Sequence, residues 1–508
     1  MLIVLLTLRL AAQQVPVVEV TLTNGMRLLM VQRHDEPSIA GGWVAHVGSA
    51  NERPGITGIT HLFEHMMFKG TRTIGTRDPE RDLQIIEEQE RIREEIRKEE
   101  AKLRAAWRRG EIDDWRKPEN RTPRLRELEA RFRELVEEQR RLLVKNEFDR
   151  IYTAAGASGM NAFTTEDLTA YFITVPANKL ELWMWMESER LLHPVFREFY
   201  AERDVVFEER RLRIESTPLG RFEETFNALF WQSHPYLWPV VGWPSDIPAI
   251  TKAQADEFYA TYYTPENITL VLVGDFTTNQ AVAMAQRYFG RIPPGNRPPP
   301  EVITEEIPPV AERRMYAEAE ANPQVRIAWL TVPFAHKDSY PLDLLAEILS
   351  HRTGRLYKGL VLGREIATQV SASQNSQKWS GNFLITAEAR EPHTPEEVEK
   401  AIYEELARLQ EEPVPPEELQ KVKNNFAANE YRRLTSNFAI LIQLLLYDGW
   451  GDWREINAAG PKYQAVTAED IQRVARKYFT KEARTVAIYT RKPAAGAKAA
   501  GALPPDQP

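Results

Sequence analysis

His61, Glu64 and His65 form an H-x-x-E-H pattern inside the stretch GITHLFEHMMFKG, residues 58–70. On a helix, His61 and His65 lie one turn apart on a single face. Glu64, three residues from His61, shares that face. Two imidazoles so placed can hold one zinc ion with a carboxylate beside its open position. Zinc lowers the pKa of water bound to it toward neutrality, and a neighbouring Glu can take the proton as general base. The flanking Ile59, Leu62, Met66 and Phe68 mark the helix as buried. A buried helix rarely carries two His and a Glu unless they are paired or bind a metal. The reading is one zinc ion per chain, with Glu64 as the catalytic candidate.

A two-His site needs a third protein ligand if one position is to stay open for water. The stretch FREFYAERDVVFEERRLRIE, residues 196–215, offers Glu202, Glu208 and Glu209. Glu202 and Glu209 are seven apart and share one helical face. Periodicity alone does not choose between them.

The elements that must position these groups are legible around them. Val17 to Val31 predicts a hairpin about Asn24 and Gly25. A third strand follows at Ile39 to Val47, then a polar loop, residues 48–58, that leads into the motif helix. Leu168 to Val175 predicts a strand, and Leu180 to Leu192 an amphipathic helix that His193 and Pro194 end. His193 is read as structural. Residues 78–148 differ in character, dense in Glu and Arg with sparse apolar positions. Ile85, Ile92, Ile96, Leu103 and Trp107 step by seven, four, seven and four. Leu125, Leu128, Phe132, Leu135 and Leu142 form a second stripe, with Gln139 in its gap. Pro118 and Pro123 separate the two. The spacing predicts an inserted antiparallel helical hairpin, a short coiled coil with arms of roughly 40 Å, read as a solvated protrusion.

The chain has 508 residues and a net charge of −8, which gives no electrostatic reason to expect nucleic acid. It has no cysteine, which excludes disulfides and a thiolate zinc site. The start, MLIVLLTLRL followed by AAQQ, has the apolar run and small residues of a secretory leader, but no basic start, and Arg9 interrupts it. Residues 1–14 are read as a possible leader remnant. If they are, the protein is periplasmic or secreted; otherwise it is cytoplasmic. No later run is long and apolar enough for a membrane span.

An internal repeat sets the architecture. Thr251 to Val273 matches Thr467 to Tyr489 without gaps, each a capped helix, a short break and an apolar strand. Thr251 pairs with Thr467, Tyr262 with Tyr478, and Glu266 with Glu482. Between the copies, Pro293 to Pro309 holds seven prolines and reads as an extended linker. The chain thus divides into related halves, 15–292 and 310–492, with residues 493–508 a disordered tail. The second half has His336, His351 and His393 but no H-x-x-E-H, so only the first can bind this zinc.

These features together resemble the pitrilysin/insulinase family of zinc peptidases, the inverzincins, which include mitochondrial processing peptidase and insulysin. The stretch HLFEHMMFKGT at His61 looks like the family's metal motif, Asn161 to Thr164 (NAFT) like its substrate strand, and ERDVVFEE at Glu202 like its third-ligand motif. By that resemblance Glu209 is the third ligand, and Glu202 a carboxylate that orients a histidine. The implied fold is α+β, two homologous rolls, each a mostly antiparallel sheet with helices on one face. The implied activity is endoproteolysis of small or unfolded peptides in a clamshell chamber. The substrate would add as a strand along Asn161, Ala162, Phe163 and Thr164.

One departure bears on partners. Family members active alone carry an Arg and a Tyr, seven apart, that hold the substrate carbonyl. Val361 and Thr368 stand at the matching positions here, with Arg364 three residues out of register. Losing an oxyanion donor costs roughly 100- to 1000-fold in rate. The resemblance therefore implies a metal-bearing subunit whose metal-free homologous partner supplies the pair, with a homodimer as the alternative. A non-catalytic assembly subunit and a maturation protease for one dedicated peptide are the other readings.

Overall fold

The structure, a computed structural model, describes residues 14–492. The expected tail, residues 493–508, and all but the last residue of the expected leader lie outside the described residues. The class is α+β, with two sheets of matching topology.

The first half opens with β1 (Val18–Thr21), β2 (Arg27–Gln32) and β3 (Ser38–Ala45), followed by the motif helix α1 (Ile59–Met66). Then come α2 (Pro79–Arg108), α3 (Pro123–Leu142), α4 (Glu147–Ala154), β4 (Ser158–Thr164) and β5 (Thr169–Pro176). After α5 (Leu180–Leu192), α6 (Phe199–Arg210), α7 (Gly220–Phe230) and α8 (Lys252–Tyr262), the half ends in β6 (Ile268–Gly274) and α9 (Thr278–Tyr288). The sheet order is β1-β2-β6-β3-β5-β4, antiparallel except for β2 with β6. β4, the expected substrate strand, is therefore an edge.

The second half holds β7 (Arg313–Ala319), β8 (Gln324–Thr331), α10 (Ser339–Leu349), β9 (Ala367–Ser376) and β10 (Gly381–Ala389). Next are α11 (Pro395–Glu411), α12 (Pro416–Arg433), α13 (Asn437–Trp450), α14 (Glu455–Ala465), α15 (Ala468–Tyr478) and β11 (Arg484–Arg491). Its order, β7-β11-β8-β10-β9, repeats β2-β6-β3-β5-β4, with β7 parallel to β11. The sequence repeat falls on α8–β6 and α15–β11. Thr251 and Thr467 each cap their helix by accepting a hydrogen bond from the backbone N–H three residues on.

Strand side chains alternate between faces. In the first sheet Leu28, Trp43, Tyr171 and Leu272 join the half's own helices in one core. On the opposite face Leu29, Val44, Phe172 and Val271 are covered by α13 from the second half, through Leu441, Leu444 and Leu445. Each fully buried Leu stabilises this junction by about 1.5–3 kcal/mol. The exchange is reciprocal. Phe226 and Phe230 of α7 cover Ala328, Ala487 and Tyr489 on the second sheet. Helices of its own half thus lie on one face of each sheet, and a helix lent by the other half lies on the second.

Helices α2 and α3 run antiparallel, about 45 Å and about 30 Å long. Ile96, Leu103, Leu125 and Leu128 form their seam, whereas Trp107 is exposed. Gln139 fills the gap in the second stripe for a polar reason: its amide donates to Asp82 and accepts from Gln89.

Candidate metal centre

Helix α1 starts where the chain runs close against the backbone of another segment. Gly58 has φ +89°, and a Cβ there would lie 2.5 Å from the Val241 carbonyl oxygen. Glycine is the residue that tolerates both conditions. Glu52, buried before the helix, accepts hydrogen bonds from the Gly58 and Thr60 N–H groups at 2.8 Å each. These satisfy donors that the first turn leaves free. Below the helix, Glu187 takes Trp43 Nε1 at 2.7 Å and the Tyr152 hydroxyl at 2.6 Å. Arg190 pairs with the same carboxylate and stacks on Trp43, Phe68, Phe148 and Tyr171.

α6 brings the carboxylates. The buried Arg210 at its end binds both Glu224 oxygens, at 2.7 and 2.8 Å, and the Gly242 carbonyl at 2.9 Å. At its start the buried Arg197 donates to Asp82 at 2.6 Å and to the carbonyls of Thr71 and Ile74. α6 is thus held at both ends, once by the α7 region and once by the base of the α2–α3 hairpin.

His61, His65 and Glu209 converge, with a donor atom from each within 4.8 Å of the others. His65 Nε2 lies 3.3 Å and His61 Nε2 3.8 Å from Glu209 Oε2. Bonds of ~2.05 Å in tetrahedral array would place ligand atoms ~3.3 Å apart, so the donor set fits zinc in kind and in spacing. Glu202 does not join it. Its Oε1 meets the other nitrogen of His65, Nδ1, at 2.9 Å, which leaves Nε2 to face Glu209. The choice that periodicity leaves open is separated here by which nitrogen each carboxylate meets. Glu208 points away and pairs with Arg211 at 2.8 Å.

The electrostatics set the two histidines apart: burial lowers His65, but Glu202, Glu209 and Glu64 outweigh it and raise it above the ordinary imidazole value. Burial, then His65 and Arg213, push His61 down to about 3, so it stays neutral, as a metal ligand must. Burial raises the Glu202 carboxyl, but His65 and Lys69 outweigh it and bring it to about 2. Lys69 Nζ sits 2.5 Å from Glu202. Burial raises Glu64 above the ordinary carboxylate range, partly opposed by the Thr164 hydroxyl. The Nδ1 of His61 is buried with no hydrogen-bond partner.

The substrate-strand candidates lie beside this group. Asn161 is exposed and, with Glu64, His65 and Phe68, lines a cavity of ≈ 640 Å³. Ala162 and Phe163 pair with Tyr171 and Ala170 of β5, and the register slips between Ser158 and Asn161. Such irregularities are common next to active sites. Thr164 turns inward and bonds Glu64. Two contacts escaped the sequence reading, Lys69 on Glu202 and Arg213 on Glu209 at 2.8 Å. Arg213 follows the i,i+4 rule from Glu209 and could have been found that way, whereas Lys69 lies past the end of α1 and reaches Glu202 on α6, a contact that no local spacing announces.

In the second half Val361 is buried in the core, and the Thr368 hydroxyl donates to Glu388 at 2.7 Å. Arg364 is paired with Glu404 at 2.7 Å. His351, just past α10, and His393, just before α11, pair with Glu347 and Glu397, each four residues away. Among the described residues no helix is long and apolar enough to cross a membrane.

Comparison with known proteins converges on one group. The family model described as insulinase (peptidase family M16) matches residues 27–98, which include the H-x-x-E-H stretch. The model described as the peptidase M16 inactive domain matches residues 249–426. The chain is 24% identical over 481 residues to the zinc protease PqqE of Helicobacter pylori, covering 93% of this chain and 92% of that one. The crystal structure of a protease from Helicobacter pylori superposes with a TM-score of 0.76 at 22% identity, over 93% of this chain and 99% of that one. The periplasmic protease PqqL from Escherichia coli gives a TM-score of 0.69 at 16% identity, with 94% of this chain spanning 48% of that one.

Proposed function

The chain belongs to the insulinase family of peptidases, and from that premise we propose that it is a zinc endopeptidase and the metal-bearing subunit of a heterodimer. The observation that carries the reading is the convergence of His61, His65 and Glu209 beside Glu64, which Thr164 ties to an edge strand. Zinc, when bound by those three residues, supplies Lewis acidity that polarises a peptide carbonyl and acidifies water. Glu64 takes the proton from the attacking water and passes it to the leaving amine. Burial raises its pKa, the direction that favours taking up the proton it must carry. Glu202 orients His65, and Lys69 keeps Glu202 ionised.

A peptide lies along β4, with the main chain at Asn161, Ala162 and Phe163 supplying hydrogen bonds to the substrate. Main-chain recognition gives little sequence selectivity, so length and lack of fold decide what is cut. The two exposed apolar side chains beside Glu209, Val205 at 50% and Leu212 at 69% exposure, support a covering partner. That partner is a metal-free homologue that brings the Arg/Tyr pair. The apolar start of the chain and the periplasmic relative support an extracytoplasmic location.

The test is hydrolysis of a quenched fluorescent peptide library by the purified chain alone, with a chelator, and with a metal-free homologue. Chelator-sensitive cleavage that needs the homologue is the expected result. Strong cleavage by the chain alone overturns the split site and favours a homodimer. Zinc bound but no cleavage in any mixture favours a dedicated peptide or an assembly role.

A further inference from the structure

A second cavity, of ≈ 940 Å³, lies where the halves meet. It is apart from the metal centre and shares none of its residues. Its main wall is α13, whose sequence NFAILIQLLLYDGW is apolar round most of the helix, with Asn437, Gln443 and Asp448 as its buried polar exceptions. A helix of that kind belongs in a fully covered place. One side is covered, by the first sheet. The other side, with Ile442, Leu446, Tyr447 and Trp450, faces the cavity, where the Phe334 ring packs on Tyr447 at 5.0 Å and on Trp450 at 5.4 Å.

The polar lining has one sign. Among the lining residues Glu166, Asp343, Glu430 and Glu455 stand against a single cation, Arg433, which already pairs with Glu430 at 3.0 Å, and Glu455 is held by Lys462 from behind, which leaves Asp343 and Glu166 without a cation of their own. Gln443, on α13, is only 7% exposed. Its amide nitrogen is spent on Glu430 and the Tyr447 hydroxyl, at 3.1 Å each, and its buried oxygen has no partner. Burial, then Glu347 and Glu430, push the Asp343 carboxyl up to about 7, although the Tyr463 hydroxyl donates to it at 2.6 Å. The cavity therefore offers π faces, carboxylates and an unfilled acceptor, and its remaining donors, amides and hydroxyls such as Asn375, Asn382 and Ser339, carry no charge.

We propose that this cavity binds a guanidinium group, carried by an arginine side chain of a peptide or by a small free guanidine. A guanidinium brings five N–H donors in one plane. It can stack on Tyr447 or Trp450, bond Asp343 edge-on and fill the Gln443 oxygen at once. The assignment does not require the metal centre to be catalytic.

The test is calorimetric titration of the full chain with N-acetyl-arginine methylamide, and with its uncharged counterpart N-acetyl-norleucine methylamide. The arginine compound is expected to bind at least tenfold more tightly. Asp343→Asn and Tyr447→Leu should each weaken it about tenfold with the melting temperature unchanged, and Ala439→Trp, which fills the cavity, should abolish it. Equal binding of the two compounds overturns the proposal. So does binding left undiminished in Asp343→Asn and Tyr447→Leu, since the ligand then sits elsewhere. Butylguanidine and an arginine hexapeptide identify the source. Affinity retained by butylguanidine supports a small guanidine, and affinity gained only by the peptide supports a peptide side chain.

Discussion

The Thr164 hydroxyl donates a hydrogen bond to Glu64 Oε2 at 2.7 Å, and so fastens the carboxylate of the H-x-x-E-H helix to the edge strand β4. One side chain thereby links the group that would move protons to the strand that would hold the substrate. Thr164→Val keeps the shape and removes the donor. It should lower kcat about tenfold, as expected for a bond to a charged group of roughly 1.5 kcal/mol, with zinc content unchanged. Thr164→Ser should restore the rate. An unchanged kcat in the valine variant would show that the bond does not hold the carboxylate.

Glu64→Gln removes the proton acceptor and little else. The expected loss in kcat is about 100- to 10,000-fold, with one zinc per chain still found by elemental analysis. Activity near wild type would reassign the base.

The two α6 carboxylates should separate in a metal-competition titration. Glu209 faces both histidine Nε2 atoms, whereas Glu202 meets only His65 Nδ1. Glu209→Gln should cost more zinc affinity than Glu202→Gln, for which about 10- to 100-fold is expected. The reverse order would mean that Glu202 is the ligand.

The contrast between these carboxylates shows what the sequence could carry. The apolar flanks of His61 and His65 placed a buried helix, and the Thr251 and Thr467 segments revealed the repeated α–β unit, because burial and capping leave local signatures. The choice of Glu209 over Glu202 came from family resemblance, since both residues lie on one face of α6 and differ only in which histidine nitrogen they reach. The exchange of α7 and α13 between halves was not legible. An apolar helix announces that it will be covered but not by what. Trp107 continued the stripe of α2 and is nevertheless exposed, since α3 is shorter than α2 and ends its seam earlier.

Asp82 of the hairpin and Arg197 before α6 form an ion pair at 2.6 Å with both side chains buried. The guanidinium also holds the Thr71 and Ile74 carbonyls. Asp82→Asn keeps the size but leaves a buried cation unpaired, which typically costs about 3–5 kcal/mol. A chemical denaturation series should show that loss. A loss below about 1 kcal/mol would mean that the hairpin base is not docked as tightly as this pair implies.

Asp167, in the turn between β4 and β5, joins the two halves. It accepts from the Tyr236 hydroxyl at 2.6 Å and from the Lys378 N–H, in the β9–β10 turn, at 2.9 Å. Burial pushes its carboxyl from 3.8 up to about 6, although both hydrogen bonds oppose the shift. A folded pKa above the unfolded one means that the folded state holds the proton more tightly. The stability from this group is therefore full below pH 3.8 and is lost as pH rises through about 6. The shift corresponds to roughly 3 kcal/mol. Melting temperatures of the zinc-free wild type and Asp167→Asn, taken at pH 4.5 and pH 7 (about the two ends of that window), isolate it. The wild type should gain on the variant at the lower pH. A flat difference would place the Asp167 pKa at its unfolded value, and one that runs the other way would place it below; either outcome overturns the upward shift by burial.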